Sequence, residues 1–313
     1  WLGGALVLTY IAYSVVVMVH LAWGARWGGQ PEERARLIAW REGASLVGVL
    51  LASVLPFWLG WSATGTALSV TLVLGLWTLH QTLRVQVPTR TAVTRAGHAD
   101  TSPWSIGPFV ALLGVFLLNG TASAMPATLL PFFVRDTLQA PDWEPWFLVS
   151  YFLAAGLGLP LWVRAVRRWG LGHSWLLGMA LSVLAFCAVP LLGPGDALAF
   201  AAVCILTGLA LGADLAIPGA LLTGVIHHAG LGQHSEGRFF GWWAGATKLN
   251  LALASGLSLP LLSLAGFETG RHTPDNQHAL ALAYGVLPLV FKAAAAALLW
   301  RAIQRHAILK GLA

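Results

Sequence analysis

Two ionisable residues lie inside long apolar segments of this 313-residue sequence. Asp214 interrupts GLALGADLAIPGALL, and Lys248 interrupts GWWAGATKLNLALASG. An unpaired charge in the middle of a membrane costs at least about 2.5 kcal/mol, so such residues usually face a cavity or each other. Counted from the basic ends of their segments, the two residues lie at depths of roughly 18 and 15 Å on consecutive antiparallel helices. Two interpretations follow: they line a transport pathway as substrate contact or proton carrier, or they form a structural ion pair.

The first third of the chain adds two candidate ligand contacts. Arg41 lies ten residues into a helix that begins near Pro31, which places it about 15 Å along the axis. There it either reaches a central site or pairs with Glu42 at the membrane interface. Tyr10, Tyr13 and Ser14 lie near one face of the first apolar segment, since Tyr13 and Ser14 follow Tyr10 by three and four residues. Tyr13 there contacts either a ligand or a neighbouring helix.

Three residues of the later segments have both a functional and a packing interpretation. Asn119 belongs with Ser123 to a small polar patch, which binds a ligand or joins two membrane helices. Trp242 stacks on a ligand or belongs to an interfacial aromatic belt. Lys292 lies nine residues from Arg301, so we expect it to extend toward the interface without a functional role.

Motifs of enzymes and metal sites are missing from the sequence. There is no HExxH, GxSxG, P-loop or aspartate-rich motif, and the histidines of VIHHAGLGQHSEGRFF match no zinc spacing. We therefore expect no enzymatic activity, no cofactor and no metal site. The two cysteines, Cys187 and Cys204, lie in apolar runs and predict small apolar fillers without a disulfide.

The composition indicates a polytopic helical membrane protein. Hydrophobic residues make up 57% of the chain and charged residues only 10%, too few to cover a soluble domain of this size. Nine spans are predicted, at 1–23, 42–60, 62–80, 106–134, 146–163, 174–192, 197–226, 239–265 and 279–300. The runs are apolar on every face, which excludes a β-barrel. The net charge of +6 is spread between the apolar runs, so we expect the lipid bilayer as partner and no nucleic acid.

The loop charges predict the orientation of these spans. Alternate loops hold fourteen cations, whereas the other loops hold only Arg135 and Arg271. By the positive-inside rule the C-terminus is cytoplasmic, and we expect a multi-pass monomer of a bacterial inner membrane. Residues 81–105 read as a cytoplasmic linker between a partial N-terminal bundle, 1–80, and a six-helix C-terminal bundle, 106–313. Because the chain starts at Trp1 without an initiator Met or a basic leader, we expect its beginning to be missing.

Three segments resemble the glycoside-pentoside-hexuronide cation symporters of the major facilitator superfamily, the family of melibiose permease. EERARLIAWREGASLVGVLLASVLP resembles the junction of the fourth and fifth helices of that family, and GLPLWVRAVRRWGLGHSWLLG resembles the basic loop between helices eight and nine. PGALLTGVIHHAGLGQHSEGRFFGWWAGATKLNLALASG resembles the region of helices ten and eleven. The resemblance runs collinearly over nearly the whole chain.

The resemblance implies an all-α major facilitator fold with helices four to twelve of twelve present. It also implies cation-driven solute symport by alternating access, with the site between two bundles. Arg41 and Lys248 occupy the positions of a fifth-helix arginine and an eleventh-helix lysine of the family, which are implicated in substrate binding or coupling. The family's cation sites use acidic residues on helices two and four, but residues 1–31 contain no Asp or Glu. Our hypothesis is that Asp214 supplies a protonatable group instead.

These observations predict a secondary transporter that couples a proton or sodium ion to a sugar or glycoside-like solute. A lipid or lysolipid transporter of the same fold, or a membrane sensor that transports nothing, are the alternatives. The residues expected to bind substrate are Arg41, Lys248, Tyr13, Asn119 and Trp242, and those expected to couple are Asp214 and Lys248.

Overall fold

The structure is a computed structural model, and it describes residues 1–24, 30–82, 102–230, 236–268, 270 and 273–313. Within these ranges the regular secondary structure is helical, without a strand. The helices are α1 (Leu2–Gly24), α2 (Pro31–Thr82), α3 (Gly107–Phe132), α4 (Glu144–Phe186), α5 (Ala197–His228), α6 (Glu236–Leu264), α7 (Pro274–Ala281), α8 (Leu287–Arg305) and α9 (Ala307–Leu312). Two π-helical turns, Phe133–Thr137 and Leu282–Val286, extend α3 and join α7 to α8.

Two glycines bend long helices into pairs of arms. Gly60 in α2 has φ 75° and Gly170 in α4 has φ 77°, a backbone region that side chains with a Cβ rarely enter. With these two bends, eight of the nine predicted spans each lie on a helix or on one arm of a helix, with ends that differ by a few residues. The ninth, 279–300, covers the end of α7, the π-helical turn and most of α8.

Length and composition allow several of these helices to cross a membrane. Six stretches of the described chain are long and apolar enough: Gly3–Leu21, Leu59–Gln81, Gly107–Thr137, Pro141–Leu191, Ala197–His228 and Asn276–Arg305. Leu157, Leu184 and Leu198 are 66%, 71% and 74% exposed on the outside of these helices. Apolar side chains on the outer surface suit contact with lipid tails, so the all-α membrane fold is confirmed and the protein is multi-pass.

Residue contacts divide the chain into two compact units. One unit comprises Trp1–Trp40 together with Thr101–Ala313, and the other is Arg41–Asp100. Most of the predicted linker, residues 83–101, lies outside the described residues. The predicted domain boundary at 81–105 therefore stays a prediction.

In the larger unit α5 packs closely along α4 because glycines remove side-chain bulk. A Cβ on Gly208 would stand 2.3 Å from the Tyr151 carbonyl oxygen, and Gly212 follows one turn later. This G-x-x-x-G spacing lets two membrane helices approach each other. The indole Nε1 of Trp162 donates to the Leu209 carbonyl at 2.7 Å and fixes the register of the pair. α3 packs on α8 and α6, and α6 packs on α1.

The core of this unit consists of two apolar clusters with a polar layer at their junction. The first cluster includes Leu112, Trp175, Ile217, Phe239 and Leu299. The second includes Leu129, Phe133, Phe147, Phe200 and Tyr284. Where α3, α4, α5 and α8 pass from one cluster to the other, they carry Ser123, Ser182, Thr207, Asp214 and Lys292. The polar groups of four helices therefore meet at mid-bundle.

Candidate functional site

A buried ion pair occupies the polar layer. The Lys292 ammonium lies 2.6 Å from Oδ2 of Asp214, and the two side chains are only 6% and 10% exposed. In a low-dielectric interior such charges are stable only when they are paired and hydrogen-bonded. Asp214, which the sequence places deep in the membrane, is therefore paired with a lysine of another helix.

Ser123 and Trp175 complete the hydrogen bonding of this pair. The Ser123 hydroxyl accepts from Lys292 Nζ at 2.8 Å and donates to Asp214 Oδ2 at 3.2 Å. The indole Nε1 of Trp175 donates to Asp214 Oδ1 at 2.9 Å. Both carboxylate oxygens of Asp214 therefore have hydrogen-bond donors, as a buried polar group requires.

Four helices position these side chains: Ser123 lies on α3, Trp175 on α4, Asp214 on α5 and Lys292 on α8. Asp214 lies fourteen residues from the end of α5 and Lys292 thirteen residues from the end of α8, about 20 Å from those ends at helical rise. The π-helical turn Leu282–Val286 precedes Lys292 by less than two turns. Such turns insert a residue into the helix and are frequent at functional sites.

A cleft with a cavity volume of about 90 Å³ opens next to the ion pair. Its walls are largely aromatic and aliphatic, including Phe147, Tyr151, Phe152, Phe200 and Tyr284, while Ser123, Asp214 and Lys292 form its polar end. Apolar walls with a few polar groups at one end are typical of small-molecule sites. All of its lining residues lie between positions 122 and 292, so this cleft is inside the C-terminal bundle, and a site between two bundles stays a prediction.

Lys248 does not pair with Asp214, and this alternative of the sequence analysis is wrong. Its ammonium donates to the Ser14 hydroxyl and lies 4.7 Å from the centroid of the Tyr10 ring. Equal depth on consecutive helices does not make two residues neighbours, because α6 packs on α1 and α3 while α5 packs mainly on α4. The expectation that Lys292 extends to the interface is also wrong, since it is buried against Asp214.

Arg41 and Tyr13 have different surroundings. The Arg41 guanidinium pairs with the Glu42 carboxylate on the same helix, where the two side chains are 29% and 23% exposed. This contact is the pairing alternative of the sequence analysis, and it lies in the smaller unit. Tyr13 is 62% exposed on α1. A role for either residue in binding substrate stays a prediction.

Asn119 and Trp242 lie in contrasting environments. Asn119 is 2% exposed, and its Oδ1 has no hydrogen-bond partner among the described residues. It is one helical turn from Ser123 on the same face of α3, so its free acceptor belongs to the same polar layer. Trp242 is 48% exposed and packs edge-to-face on Trp104 at 4.8 Å, the arrangement expected of an interfacial belt.

The sulfur and imidazole groups of the described residues form no further cluster. Among the described residues no group of three His, Cys, Asp or Glu side chains converges as a metal site would require. His227 lies 3.8 Å from Glu236, and residues 231–235 of the histidine-containing loop are outside the described ranges. Cys204 is buried in the cleft wall, whereas Cys187 is exposed on the surface of its helical segment.

Sequence reasoning missed Lys292 and Trp175 as members of this site. For Lys292 the signal was available, because its distance of nine residues from Arg301 nearly equals that of Lys248 from Arg238. For Trp175 the sequence gives no such signal, because the hydrogen-bond partner of a tryptophan inside an apolar run cannot be predicted from its neighbours in the chain.

The profile of a family described as "MFS/sugar transport protein" matches residues 1–303. The match covers nearly the whole chain, and the chain therefore belongs to this family of major facilitator transporters. The predicted resemblance to symporters of the melibiose permease type is thereby confirmed at the level of the family. This family membership also indicates a transporter rather than an enzyme.

Two vertebrate proteins are similar to part of the chain. The sodium-dependent lysophosphatidylcholine symporter 1-A of Danio rerio is 25% identical over 168 residues, which are 52% of this chain and 31% of that protein. The sodium-dependent lysophosphatidylcholine symporter 1 of Homo sapiens is 26% identical over 169 residues, 53% of this chain and 31% of that protein. The match thus spans about a third of the length of these relatives.

Proposed function

We propose that the whole protein is a secondary active transporter that couples the entry of a proton or sodium ion to the symport of an amphipathic solute. The observation that carries this proposal is the buried Asp214–Lys292 pair at the polar end of an open cleft. A charge pair in the middle of a membrane bundle is costly, and such groups commonly mark ion and proton pathways.

Coupling follows from the competition for the Asp214 carboxylate. A proton or metal cation that binds this carboxylate replaces the Lys292 ammonium and leaves the lysine without its counter-ion. The lysine then gains most from a substrate that supplies hydrogen-bond acceptors in the cleft. Cation and solute therefore stabilise each other's binding, which is the thermodynamic condition for symport.

The family description supports a sugar or glycoside-like solute as first candidate. Aromatic walls such as Phe152 and Tyr151 stack on the apolar face of a sugar ring. The hydroxyl groups of such a solute would bond to Asp214, Lys292 and Ser182 at the polar end.

A single-chain lipid is the second candidate, because most of the cleft lining is apolar. In the polar layer Thr207 already donates to the backbone carbonyl of Val203 at 2.8 Å. A sugar with many hydroxyl groups would leave several of them unpaired in such a cleft. The names of the two vertebrate relatives agree with this candidate.

The other predicted residues keep proposed roles. Lys248, with Ser14 and Tyr10, joins α1 to α6 and is proposed to bind substrate or to couple at the contact of the two bundles. The free amide oxygen of Asn119 is proposed to bind a water or a solute hydroxyl. Arg41, Tyr13 and Trp242 are proposed solute contacts, and the protein is proposed to be a monomer in a bacterial inner membrane with a cytoplasmic C-terminus.

Uptake by the full-length protein in proteoliposomes tests the proposal. With an imposed pH or sodium gradient, we expect accumulation of a radiolabelled glycoside or lysophospholipid that collapses in Asp214→Asn. Asp142→Asn is the matched control, because Asp142 is exposed in the turn before α4. Unchanged gradient-driven uptake in Asp214→Asn would contradict the coupling role.

A further inference from the structure

The two carboxylate oxygens of Asp214 have different partners. Oδ2 accepts from the Lys292 ammonium at 2.6 Å and from the Ser123 hydroxyl at 3.2 Å. Oδ1 accepts from the indole Nε1 of Trp175 at 2.9 Å, and no other described residue donates to it. The lysine therefore holds one oxygen of the carboxylate and the tryptophan holds the other.

Trp175 reaches Asp214 from outside the cleft. Its ring is fully buried in the first core cluster, and it is not among the residues that line the cleft. Asp214, Lys292 and Ser123 do line the cleft. A cation that enters through the cleft thus meets the carboxylate on the side of Lys292, which is the side of Oδ2.

The packing of α4 on α5 fixes the position of the Trp175 indole. A Cβ on Gly178, three residues after Trp175, would stand 2.6 Å from the Cβ of Ala213, which precedes Asp214. The two helices are therefore in close contact beside the carboxylate. A buried ring has little freedom to turn, whereas the long side chain of Lys292 extends into the cleft lining. The indole N–H thus stays on Oδ1 when the lysine moves.

We infer that Trp175 is a positioning residue that directs the incoming cation to Oδ2 of Asp214. This inference rests on the proposed coupling and adds a residue to its mechanism. A proton on Oδ1 would point at the indole N–H of Trp175, and this buried donor would lose its acceptor. A proton on Oδ2 leaves Oδ1 as a carbonyl oxygen, which still accepts from the indole.

The choice of oxygen decides whether the cation affects Lys292. A cation on Oδ2 takes the place of the ammonium, so its binding releases the lysine. A cation on Oδ1 would leave the ion pair intact and would bind and dissociate without any effect on the solute. Among the described residues the other ionisable group that faces Asp214 is Tyr151 of α4, and α3 contributes the uncharged Ser123. Trp175 thus makes cation binding and the release of Lys292 a single event, as coupling between two sites requires.

The infrared C=O band of protonated Asp214 tests which oxygen carries the proton. The full-length protein is acidified in phosphatidylcholine vesicles, and the band is assigned by its loss in Asp214→Asn. A C=O oxygen that accepts a hydrogen bond absorbs at a lower wavenumber, so Trp175→Phe, which removes the N–H, should shift the band to a higher wavenumber. Replacement of Trp175 by benzothienylalanine, in which a sulfur atom takes the place of the N–H, should give the same shift with the ring size kept, and it serves if Trp175→Phe fails to fold.

Trp162→Phe is the matched control, because it removes an indole N–H of the same helix that bonds to the Leu209 carbonyl at 2.7 Å. This variant should leave the Asp214 band in place, although it also weakens the contact of α4 with α5. Ser123→Ala should move the band less than Trp175→Phe does, because the Ser123 hydroxyl bonds to Oδ2.

A band that responds to Ser123→Ala and not to Trp175→Phe would place the proton on Oδ1 and overturn the inference. The absence of an Asp214 band at every pH would overturn it as well. The proposed coupling is judged separately, by uptake in Asp214→Asn. If uptake depends on Asp214 while the band ignores Trp175, only this inference fails; if gradient-driven uptake survives in Asp214→Asn, the proposed function fails whatever the band shows.

Discussion

Removing one charge of the Asp214–Lys292 pair should lower the free energy of unfolding much more than removing both charges. Lys292→Met takes away the ammonium but keeps a long apolar side chain, so the Asp214 carboxylate stays buried without its counter-ion. Asp214→Asn combined with Lys292→Met leaves no charge in the polar layer, while the Trp175 and Ser123 groups still have an amide to bond.

The separation of the charges sets the magnitude. At 2.6 Å and an effective dielectric constant of about 20, the attraction between the two charges is about 6 kcal/mol. Desolvation offsets part of it, so breaking such a pair from one side typically lowers the free energy of unfolding by about 3–5 kcal/mol. The double variant should lie within about 1 kcal/mol of the wild type, since both charges are gone.

Equilibrium unfolding in mixed detergent micelles with increasing dodecyl sulfate measures these differences. Lys248→Met is the control, because its ammonium contacts a hydroxyl and the Tyr10 ring at 4.7 Å, a cation–π contact of about 1 kcal/mol. If the losses of Lys292→Met and Asp214→Asn simply add in the double variant, the two residues are not energetically coupled and the reasoning fails.

Two further predictions concern the glycines of the packed helices. Gly208→Ala should destabilise the α4–α5 pair by about 1–3 kcal/mol, because its Cβ would stand 2.3 Å from the Tyr151 carbonyl; Gly256→Ala, with no atom within 4 Å, should be tolerated in the same unfolding assay. Gly170→Ala should lower thermal stability more than Gly256→Ala, because φ is 77° and its Cβ would meet the Ala313 carbonyl oxygen at 1.9 Å. If Gly208→Ala or Gly170→Ala were as stable as Gly256→Ala in its assay, the steric explanation for that glycine would be contradicted.

The helical membrane fold can be predicted from the sequence because long apolar runs identify membrane-spanning helices. Runs of about twenty apolar residues must be helical in lipid, where each backbone group needs an internal partner. The bend at Gly60 falls at the end of the predicted span 42–60, and the bend at Gly170 falls between two predicted spans, so span length alone predicts the division of α2 and α4.

The site was predictable only in part, because depth along a helix does not specify its neighbours. Asp214 was identified from the cost of a charge in an apolar run, and the structure indeed gives it a buried partner. The predicted partner Lys248 is wrong because α6 packs on α1 and α3, whereas α8, which packs on α3 and α4, brings the Lys292 ammonium within 2.6 Å of Asp214. The prediction that Lys292 extends to the interface is wrong because the interface near Arg301, nine residues away, is beyond the reach of the lysine side chain, whereas the Asp214 carboxylate lies within reach.

The most direct test of the central claim compares gradient-driven accumulation with gradient-free exchange in the same proteoliposomes. In Asp214→Asn combined with Lys292→Gln, accumulation under an imposed cation gradient should disappear, because no group remains for the cation to displace. Counterflow of unlabelled for labelled solute, which needs no cation gradient, should persist at a measurable rate. Accumulation that survives in this variant would show that the coupling ion binds elsewhere in the protein.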